Sequence, residues 1–498
     1  MYLVRTLLIL LLFPIIMGGQ TVFNNAFSVG GNLLTELLIT DTTYITAAIN
    51  NQDNKKLDFS IFDLQGNLID TINYRFDSVQ NFPGNCGKCF QNRHNEIYYA
   101  QYNSMASDTG YVAILKLRSD LSIKKVRSYT FRDSLTTVFK AMQFDTDSTF
   151  IATGYIFRRK PPLLGKYDLL VAKFDTAFNL LWEKRIVDHR PNQALGYIGH
   201  DISVDAYGSV LISGYGRYGP NTAIAARFRR SDGYMYWFNE YSDSLGNAGM
   251  FGIDNGDGTY QFHRHVATQN TVTMGTRFNK VVTGTLDTAG NMINLSSLGK
   301  DNRLYAGYDL IRTSDGNYYL GGYTYINGNN VGLGFKFAPN GDSLWMRYYW
   351  HDDQQDLSEI EIFFETQDSG FIHAGYYGDL FQPTVFTVQT WLLKTDKFGC
   401  DSIGCHTIGV PEVMIPGLLE VFPNPSQGRF RLSWTYGNPE SFHLTIQDLN
   451  GKVLYRDEEA FLSEEAYAID LTGQPQGLYL LNLSIDGKHV CSRKLVVE

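Results

Sequence analysis

The feature that most constrains this 498-residue chain is a pattern that recurs about every 54 residues between residues 24 and 405. Each copy begins with a turn rich in Asp, Gly or Ser, continues as an aromatic and aliphatic strand, and usually ends in Gly-Tyr. The copies align on Tyr44, Ile97, Phe150, Val210, Tyr260, Tyr318 and Phe371, with steps of 53, 53, 60, 50, 58 and 53 residues. A period in this range is typical of arrays in which each copy is one supersecondary unit.

A hairpin pattern with Asp, Asn or Gly at its turn follows each copy, as in residues 62–68, 174–182 and 286–292. Aromatic residues make up 14% of the chain and glycine is frequent, which favours strands and turns. About two hairpins per copy predict an all-β, seven-bladed β-propeller over residues 20–405. Residues 21–29 are predicted to supply the strand that completes the last blade. Because the second and fifth copies are faint, six or eight blades, or a pair of β-sandwiches, remain as alternatives.

The amino terminus has the pattern of a secretory signal peptide. Arg5 precedes an apolar run over residues 7–16, and Gly18 and Gly19 follow it. We therefore predict a signal peptide over residues 1–19 with cleavage before Gln20. The alternative is a membrane anchor, but a spanning helix needs about 20 apolar residues. Since no other segment approaches that length, we expect no transmembrane segment in the mature chain.

Residues 421–498 carry a second pattern, in which short alternating strands are separated by tight turns. Two prolines at the start of this segment prevent regular strand pairing there, and an Asn-Gly pair in its middle predicts a hairpin. The residues that define the pattern are Pro423, Asn424, Pro425, Gly428, Asp448, Asn450, Gly451, Gly477, Tyr479 and Lys494. Residues 406–420, which include Pro411 and Pro416, are predicted to be a linker.

These elements, in this order, resemble the type A C-terminal sorting domain of the bacterial type IX secretion system. The resemblance implies a small C-terminal β-sandwich that is recognised by the secretion machinery and directs export across the outer membrane. In that family the domain is commonly removed, and the cargo is released or attached to surface lipopolysaccharide. The chain is therefore expected to be secreted or displayed on the outer-membrane surface. The alternative is a fibronectin-like accessory module.

Five cysteines are present, and four of them form two close pairs. An exported chain favours two local disulfides, Cys86–Cys89 and Cys400–Cys405. Free thiols and a four-thiolate zinc site built from both pairs are the alternatives. The fifth, Cys491, lies in the sorting domain.

Two pairs of ionisable residues could carry chemistry. Glu359 and Glu361 alternate along a strand, and paired carboxylates can act in glycoside hydrolysis. Alternation alone, however, predicts an exposed strand edge. His263 and His265 also share a strand face and could ligate a metal, but no third ligand is evident, so a solvated face is the favoured interpretation.

The remaining candidates concern ligand contact. Residues 254–258, Asp-Asn-Gly-Asp-Gly, are rich in oxygen donors but lack the Glu of an EF-hand, so a plain turn is favoured over a calcium site. Trp182, Trp237 and Trp345 recur at similar places in three copies, which predicts a packing role. Trp350 and Trp391 depart from that register and are predicted ligand contacts.

No catalytic motif is recognisable, so no catalytic, metal or cofactor residue is predicted, with Ca²⁺ at residues 254–258 as a further alternative. The net charge of −9 argues against nucleic-acid binding. The favoured interpretation is a non-enzymatic propeller that binds a glycan, a protein or a surface polymer. A secreted enzyme that degrades polysaccharide or peptide is the first alternative, since fold does not determine function. A structural surface or matrix component is the second.

Overall fold

The structure is a computed structural model, and it describes residues 21–27, 32–50, 55–75, 80–81, 90–91, 96–104, 110–131, 136–158, 166–190, 194–218, 222–242, 247–266, 280–299, 304–326, 329–351, 357–378, 388–402, 419–434, 442–448, 452–460, 467–485 and 488–498. Every regular element in these residues is a β-strand, so the described chain is all-β. The chain divides into two compact units, residues 1–403 and 404–498. The predicted signal peptide, residues 1–19, lies outside the described residues.

The described residues of the first unit form 29 strands. They are β1 Phe23–Phe27, β2 Asn32–Ile39, β3 Thr43–Asn50, β4 Lys56–Asp63, β5 Leu68–Arg75, β6 Gln80–Asn81, β7 Phe90–Gln91, β8 Ile97–Ser104, β9 Gly110–Leu117, β10 Ile123–Tyr129, β11 Thr136–Thr146, β12 Thr149–Arg158, β13 Lys166–Asp175, β14 Leu180–Ile186, β15 Ala194–Val204, β16 Ser209–Tyr218, β17 Thr222–Arg229, β18 Met235–Tyr241, β19 Asn247–Asp254, β20 Tyr260–Val266, β21 Lys280–Leu286, β22 Met292–Leu298, β23 Tyr305–Arg312, β24 Tyr318–Ile326, β25 Asn329–Phe337, β26 Ser343–Tyr349, β27 Leu357–Glu365, β28 Phe371–Gly378 and β29 Val388–Thr395.

Antiparallel pairing arranges these strands in successive groups. Group 1 is β2–β5, group 2 is β6–β10, group 3 is β11–β14, group 4 is β15–β18, group 5 is β19–β22, group 6 is β23–β26, and group 7 is β27–β29. Strand β1 pairs with β29 and becomes the fourth strand of group 7, as the sequence predicted for residues 21–29. The two ends of the described repeat region are thereby joined.

Parallel pairings of a single residue connect some groups into wider sheets. Gly110 with Thr136 and Tyr167 with Gly196 join groups 2, 3 and 4, and Asn330 with Leu357 joins groups 6 and 7. Groups 1 and 5 remain separate four-stranded sheets. Within the described residues each sheet is open, with its fourth strand as an edge.

Hydrophobic clusters fill the spaces between neighbouring groups. Phe150 and Ala152 of β12 contribute to the cluster shared with group 2, whereas Ile151 contributes to the cluster shared with group 4. Both faces of this strand are buried, which explains its nearly continuous apolar sequence. Representative pairs across the clusters are Phe59 and Leu115 (groups 1 and 2), Ile114 and Phe150 (2 and 3), Ile151 and Ile212 (3 and 4), Leu211 and Phe262 (4 and 5), Val281 and Leu320 (5 and 6), Tyr319 and Leu393 (6 and 7), and Ile372 and Phe62 (7 and 1).

An ion pair with a largely buried cation recurs in five of the groups. Each joins a cation on the third strand to an acid at the end of the first strand or in the turn before the second strand. The pairs are Lys116–Glu96 (2.7 Å), Lys173–Asp145 (2.6 Å), Arg227–Asp205 (3.2 Å), Lys336–Asp315 (2.7 Å) and Lys394–Asp368 (3.0 Å). The acidic turns that mark the repeat in the sequence are therefore one half of a repeated structural contact.

The recurring tryptophans lie on fourth strands and pack against the next group. Trp182 contacts the turn glycine Gly233, Trp237 contacts Gly290, and Trp345 contacts Gly399. Trp182 and Trp237 also donate from Nε1 to backbone carbonyls, those of Arg230 and Thr288. These contacts agree with the packing role that the register of the tryptophans predicts.

The second unit contains two sheets. One consists of β30 (Leu419–Phe422), β31 (Arg429–Trp434) and β34 (Tyr467–Asp470), and the other of β32 (Phe442–Asp448), β33 (Val453–Ala460), β35 (Gly477–Ile485) and β36 (Lys488–Val497). Phe430 and Ile469 from the first sheet share one hydrophobic cluster with Leu444, Leu481 and Leu495 from the second. The two sheets therefore bury one common core.

Candidate functional site

In four groups the first strand contains a β-bulge opposite the glycine of the Gly-Tyr pair. The extra residue is Lys140 in β11, His200 in β15, Tyr308 in β23 and Glu361 in β27. Each bulged residue lies 14 positions before the glycine of the Gly-Tyr pair that ends the repeat. Bulges redirect side chains and are frequent beside functional sites. This constant position therefore presents four chemically different side chains from equivalent strands.

The glycine of the Gly-Tyr pair is required by the bulge. A Cβ added at Gly154, Gly214, Gly322 or Gly375 would lie 2.0, 2.1, 1.9 or 1.8 Å from the carbonyl oxygen of Val138, Ile198, Ala306 or Glu359, respectively. No side chain can occupy such a space unless the backbone moves. The small residues that recur in the sequence are therefore explained by the close approach of the first strand.

Two carboxylates and a phenol meet where β23 and β27 are neighbours. Tyr308 donates its hydroxyl to Oε2 of Glu359 over 3.2 Å, and Asn330 Nδ2 donates to Oε1 of the same carboxylate over 2.5 Å. Glu361 also interacts with the Tyr308 hydroxyl. Tyr308 therefore lies between two acids that the bulged strand presents on one side.

Two further tyrosines complete what we call the acid–tyrosine cluster, namely Glu359, Glu361, Tyr308, Tyr323, Tyr376 and Asn330. The rings of Tyr308 and Tyr323 have centroids 5.6 Å apart at 40°. Tyr376 is the cross-strand partner of Glu359 and is influenced by the charge of both acids. The side chains of the three tyrosines and both acids are largely buried, and each keeps some exposed surface.

The environment of the cluster favours protonated side chains. Burial raises the pKa of Glu361 to about 8, and the negative charge of Glu359 adds to this, while Tyr308 and the positive charge of Lys140 act in the opposite direction. Burial also raises the pKa of Glu359, against the hydrogen bonds from Asn330 and Tyr308. At neutral pH the two carboxyl groups therefore retain a proton between them.

The tyrosine hydroxyls of the cluster also remain protonated. Burial raises the pKa of Tyr308, Tyr323 and Tyr376, and the charges of Glu359 and Glu361 raise each of them further. They can therefore act as hydrogen-bond donors and as neutral aromatic surfaces. The charge of Lys140 lowers the pKa of Glu361, although the two bulged residues belong to groups that are distant in the chain.

His263 and His265 are buried, which corrects the solvated strand face expected from the sequence. His263 is fully buried and stacks on Phe251 with ring centroids 4.9 Å apart. Nε2 of His265 accepts a hydrogen bond from Gly307 N over 2.7 Å, and burial lowers its pKa to about 4. Both imidazoles are therefore neutral packing residues between groups 5 and 6. No group of three or more His, Cys, Asp or Glu side chains suited to a metal occurs among the described residues.

The two predicted tryptophan contacts have different surroundings. Trp391 is 1% exposed, lies in the cluster between groups 6 and 7, and donates from Nε1 to Asn24 Oδ1 over 2.7 Å. It is therefore a core residue, and the prediction of a ligand contact was wrong for it. Trp350 is partly exposed, and its carbonyl accepts a hydrogen bond from Asn24. A ligand contact through Trp350 stays a prediction.

The oxygen-rich turn at residues 254–258 connects β19 to β20. Its polar groups are largely used within the protein: Asp257 accepts two hydrogen bonds from Thr259, and Arg312 donates to the carbonyl of Asn255. Burial and the charges of neighbouring acids raise the pKa of Asp254. These contacts agree with the plain turn that the sequence favours, and calcium binding there stays the alternative.

The cysteine predictions also remain open. Cys400 is 1% exposed at the turn after β29, where its backbone N–H is bonded to Asp396. Cys86, Cys89 and Cys405 lie outside the described residues, and so does the side chain of Cys491. The two disulfides therefore stay predictions.

The predicted sorting motif has a structural role in the second unit. Asn424 donates from Nδ2 to the carbonyl of Lys494 and accepts at Oδ1 from the N–H of Val496, so the Pro-Asn-Pro turn is attached to β36. Gly428 has a φ of +90° and lies against the backbone of Leu471, where a side chain would collide.

The other motif residues form turns and strand ends. Tyr479 donates to the carbonyl of Pro475, and Gly477 begins β35. Asp448 accepts a hydrogen bond from the N–H of Lys452 across the predicted hairpin turn. Asn450 and Gly451, in the middle of that turn, lie outside the described residues. Pro423 and Pro425 flank the Asn424 contact.

No helix in the described part of the chain is long and apolar enough to cross a membrane.

Comparison with solved structures finds distant similarity. A periplasmic gluconolactonase of Pseudomonas aeruginosa is 9% identical, over 94% of this chain and 99% of that one, with a TM-score of 0.40. A mutant apocarotenoid oxygenase of Synechocystis is 7% identical, over 65% and 73%, with a TM-score of 0.41. A europium-containing methanol dehydrogenase is 10% identical, over 74% and 92%, with a TM-score of 0.38. Similarity at this level does not bear on the activity of the chain.

No curated protein matches the sequence. The C-terminal segment, in contrast, has a clear counterpart. Residues 420–498 match the family described as the secretion system C-terminal sorting domain. This match covers the segment whose motif resembled the type IX sorting domain, and it supports export to the cell surface or the medium. The match to residues 420–498 therefore supports the sorting domain that the sequence motif predicts.

Proposed function

We propose that the chain is a type IX cargo whose first unit is a seven-bladed β-propeller that binds a ligand at the acid–tyrosine cluster. In this proposal residues 1–19 are a cleaved signal peptide, residues 406–420 are a linker, and the second unit is a β-sandwich. The cargo carried by the sorting domain is the repeat region, which acts outside the cell.

The propeller proposal is supported by the order of the hydrophobic clusters. Each strand group shares a cluster with the next, and group 7 shares one with group 1. Pairing of β1 with β29 joins the beginning of the repeat region to its end. In a propeller the first strands of the blades surround a central channel. The bulged residues would then face one another across that channel.

The observation that carries the ligand proposal is the meeting of Glu359, Glu361 and Tyr308 at the bulge of group 7. A purely structural position would not require two acids with raised pKa values at a partly exposed surface. Such groups are costly to hold together, and they persist where they bind or react. The ligand is a glycan, a protein or a surface polymer that presents a polar group to the cluster.

A second candidate is an enzyme that cleaves polysaccharide or peptide at the same place. It is favoured by the pairing of a carboxyl group that is protonated at neutral pH, Glu361, with a second carboxylate two residues away. One acid can donate a proton while the other acts as a base. A binding protein leaves its ligand intact, whereas an enzyme cleaves it. Assays of binding and of degradation on the same substrates therefore separate the two candidates.

The binding proposal is tested with glycan, polysaccharide and peptide arrays, in parallel with degradation assays on the same substrates. The mature protein is compared with the E359Q/E361Q double variant and with E183Q, which changes a carboxylate on the outer strand β14. We expect saturable binding that the double variant loses and E183Q keeps. Degradation that the double variant loses would establish the enzyme. Binding that the double variant retains would overturn the assignment to this cluster, and the absence of any ligand would favour a structural role.

Export is tested by deleting residues 420–498 in the native host. The truncated protein should accumulate in the periplasm, because the sorting domain directs passage through the outer membrane. Fractionation and surface labelling measure the change. As a finer test, N424A removes both contacts to β36 and should weaken the second unit by about 1–2 kcal/mol. Normal export of the truncated protein would contradict the proposal.

A further inference from the structure

We propose that the acid–tyrosine cluster recognises an organic ammonium group, such as that of an amine-bearing glycan or a lysine side chain. This inference rests on the proposed ligand-binding function and names the chemical group that the ligand presents. It follows from three properties of the cluster: its charge, its aromatic surface and its hydrogen bonding.

The charge of the cluster selects against anions. Among the described residues, neither Glu359 nor Glu361 forms an ion pair, and their bonded partners are the neutral groups of Tyr308 and Asn330. Lys140 contributes a positive charge to the surroundings of Glu361 but leaves its pKa raised. An anionic ligand would be repelled by the two acids, and a neutral sugar would not compensate for them. A cation is therefore the complementary ligand.

The aromatic surface distinguishes an organic cation from a metal ion. Tyr308, Tyr323 and Tyr376 are partly exposed around the acids, and the first two have ring centroids 5.6 Å apart. Tyrosine faces attract ammonium groups, and such rings are used to bind them. Calcium instead requires six to eight oxygen ligands. The described residues provide no group of three or more acids, His or Cys here. The cluster thus fits an ammonium better than a metal.

Binding of an ammonium group displaces the proton that the two acids share. Without a ligand, the pair formed by Glu359 and Glu361 holds one proton and one negative charge. When R–NH₃⁺ binds, the cation replaces that proton, which passes to the solvent, and no covalent bond to carbon changes. Charged and titratable groups that face the site are Glu359, Tyr308, Tyr323, Tyr376 and Lys140. The tyrosines stay neutral throughout, because their pKa values are raised.

Proton displacement gives the binding a pH dependence with a definite sign. Below about pH 8 the proton on Glu361 competes with the ligand. The affinity should therefore increase by up to about tenfold per pH unit as pH rises towards 8, and then level off. A ligand that binds without displacing a proton would show no such dependence.

The test uses the mature full-length protein and tetramethylammonium, which keeps its charge at every pH, with n-butylamine as a primary amine. Neutral tert-butanol is the matched control, since it has similar size and no charge. Binding is measured by calorimetry and ligand-observed NMR between pH 6 and 9. We expect both cations to bind at least tenfold more tightly than tert-butanol, with proton release detected in buffers of different ionisation enthalpy.

Variants identify the site. E359Q/E361Q should reduce cation binding at least tenfold, and E183Q should leave it unchanged. K140Q removes a competing positive charge and should increase the affinity several-fold. Y323F keeps the ring and should retain binding, whereas Y323L should weaken it; equal effects would argue against ring recognition. Urea unfolding of each variant excludes a loss of structure as the cause.

The results also separate this inference from the proposed function. If an array ligand depends on Glu359 and Glu361 but tetramethylammonium and n-butylamine neither bind nor compete, the ligand-binding function stands and the ammonium inference is overturned. Equal binding of tert-butanol and tetramethylammonium would likewise overturn it. Competition by the amines with an array ligand, lost in the double variant, would support both.

Discussion

The third strands and the first strands of the repeated groups differ in what they repeat. On the third strands the same chemistry recurs: Lys173, Lys336 and Lys394 each pair with an acidic residue that precedes the second strand in the chain. On the first strands the geometry recurs while the chemistry changes. The bulged residue is Lys140 in one group and Glu361 in another. The repeated ion pairs are therefore contacts that stabilise each group.

The bulged position of the first strand is informative because its side chain differs from group to group. A bulge with a glycine opposite it is kept in four groups, yet the side chain that it presents is not. Folding therefore requires the backbone geometry and leaves the side chain unrestricted. The side chain at the bulge can therefore serve ligand binding. In the acid–tyrosine cluster, the bulged residues of groups 6 and 7 are a tyrosine and a glutamate that lie together. The comparison predicts that repeated residues control stability while bulged residues control ligand binding.

The largest effect is expected from the repeated ion pairs. In K173A the carboxylate of Asp145, whose side chain is 2% exposed, loses its cation and keeps the hydrogen bond from Thr149 Oγ1. A buried charge without compensation is strongly unfavourable, so the free energy of unfolding should fall by about 3–5 kcal/mol. Lys173 also donates to the carbonyl of Arg230 in group 4, which adds to the loss. Urea unfolding followed by fluorescence measures the change.

An exposed pair serves as the control for K173A. Arg229 and Asp232 form an ion pair at 2.5 Å, but their side chains are 46% and 52% exposed. R229A should therefore lower the free energy of unfolding far less than K173A does, because solvent screens an exposed pair. Similar losses for K173A and R229A would mean that the recurring pairs are not structural, and the contrast between third and first strands would fail.

The next effect concerns the glycines opposite the bulges. A Cβ at Gly154 or Gly375 would lie 2.0 or 1.8 Å from a backbone oxygen, so G154A and G375A must both displace the first strand. Each should lose about 1–3 kcal/mol of stability. The two positions are equivalent in the repeat, but only Gly375 supports the bulge that presents Glu361.

Ligand binding separates the two glycine variants. G375A should also weaken binding of tetramethylammonium, because it moves Glu359 and Glu361, while G154A should change stability with a smaller effect on binding through Lys140. Calorimetry on both variants, at a temperature where both are folded, makes the comparison. An equal loss of binding would show that the bulge of group 7 has no special role.

A smaller effect is expected where a fourth strand contacts the next group. Trp237 donates from Nε1 to the carbonyl of Thr288 over 3.0 Å and lies against Gly290. W237F keeps an aromatic ring and removes the donor, which should cost about 0.5–1.5 kcal/mol. Thermal unfolding of W237F beside the wild type measures it. A loss as large as that of K173A would place this contact among the principal determinants of stability.

Much of the architecture could be predicted from sequence, because it is encoded locally and repeated. The acidic turns, the apolar strands and the Gly-Tyr endings recur, and the strand at residues 21–29 was expected from the need to complete the last group. The contacts of Trp182, Trp237 and Trp345 followed from their common register. Repetition makes such features visible without a structure, since each copy supports the assignment of the others.

The candidate site could not be predicted in the same way. Alternation of Glu359 and Glu361 predicted an exposed edge, because the sequence does not reveal that β27 is the first strand of its group or that it lies beside Tyr308. His263, His265 and Trp391 were misjudged for a related reason: burial depends on neighbouring groups far along the chain. One usable signal was present, the constant spacing of 14 residues between the bulge and the glycine of Gly-Tyr.

The most specific effect is the pH dependence that Glu361 gives to the free energy of unfolding. The folded protein holds its proton up to about pH 8, mainly because of burial, whereas an unperturbed glutamate releases it near 4.5. Between these values the folded state binds more protons than the unfolded state, so the free energy of unfolding falls as pH rises. E361Q cannot titrate and should remove this part of the slope, becoming more stable than the wild type near pH 8 and similar to it near pH 5. Urea midpoints at pH 5, 6.5 and 8 measure the difference, with E183Q expected to keep the wild-type slope. If the free energy of unfolding of E361Q depended on pH as that of the wild type does, Glu361 would be ionised in the folded protein. The bulged position would then hold an ordinary charged side chain, as the third strands do.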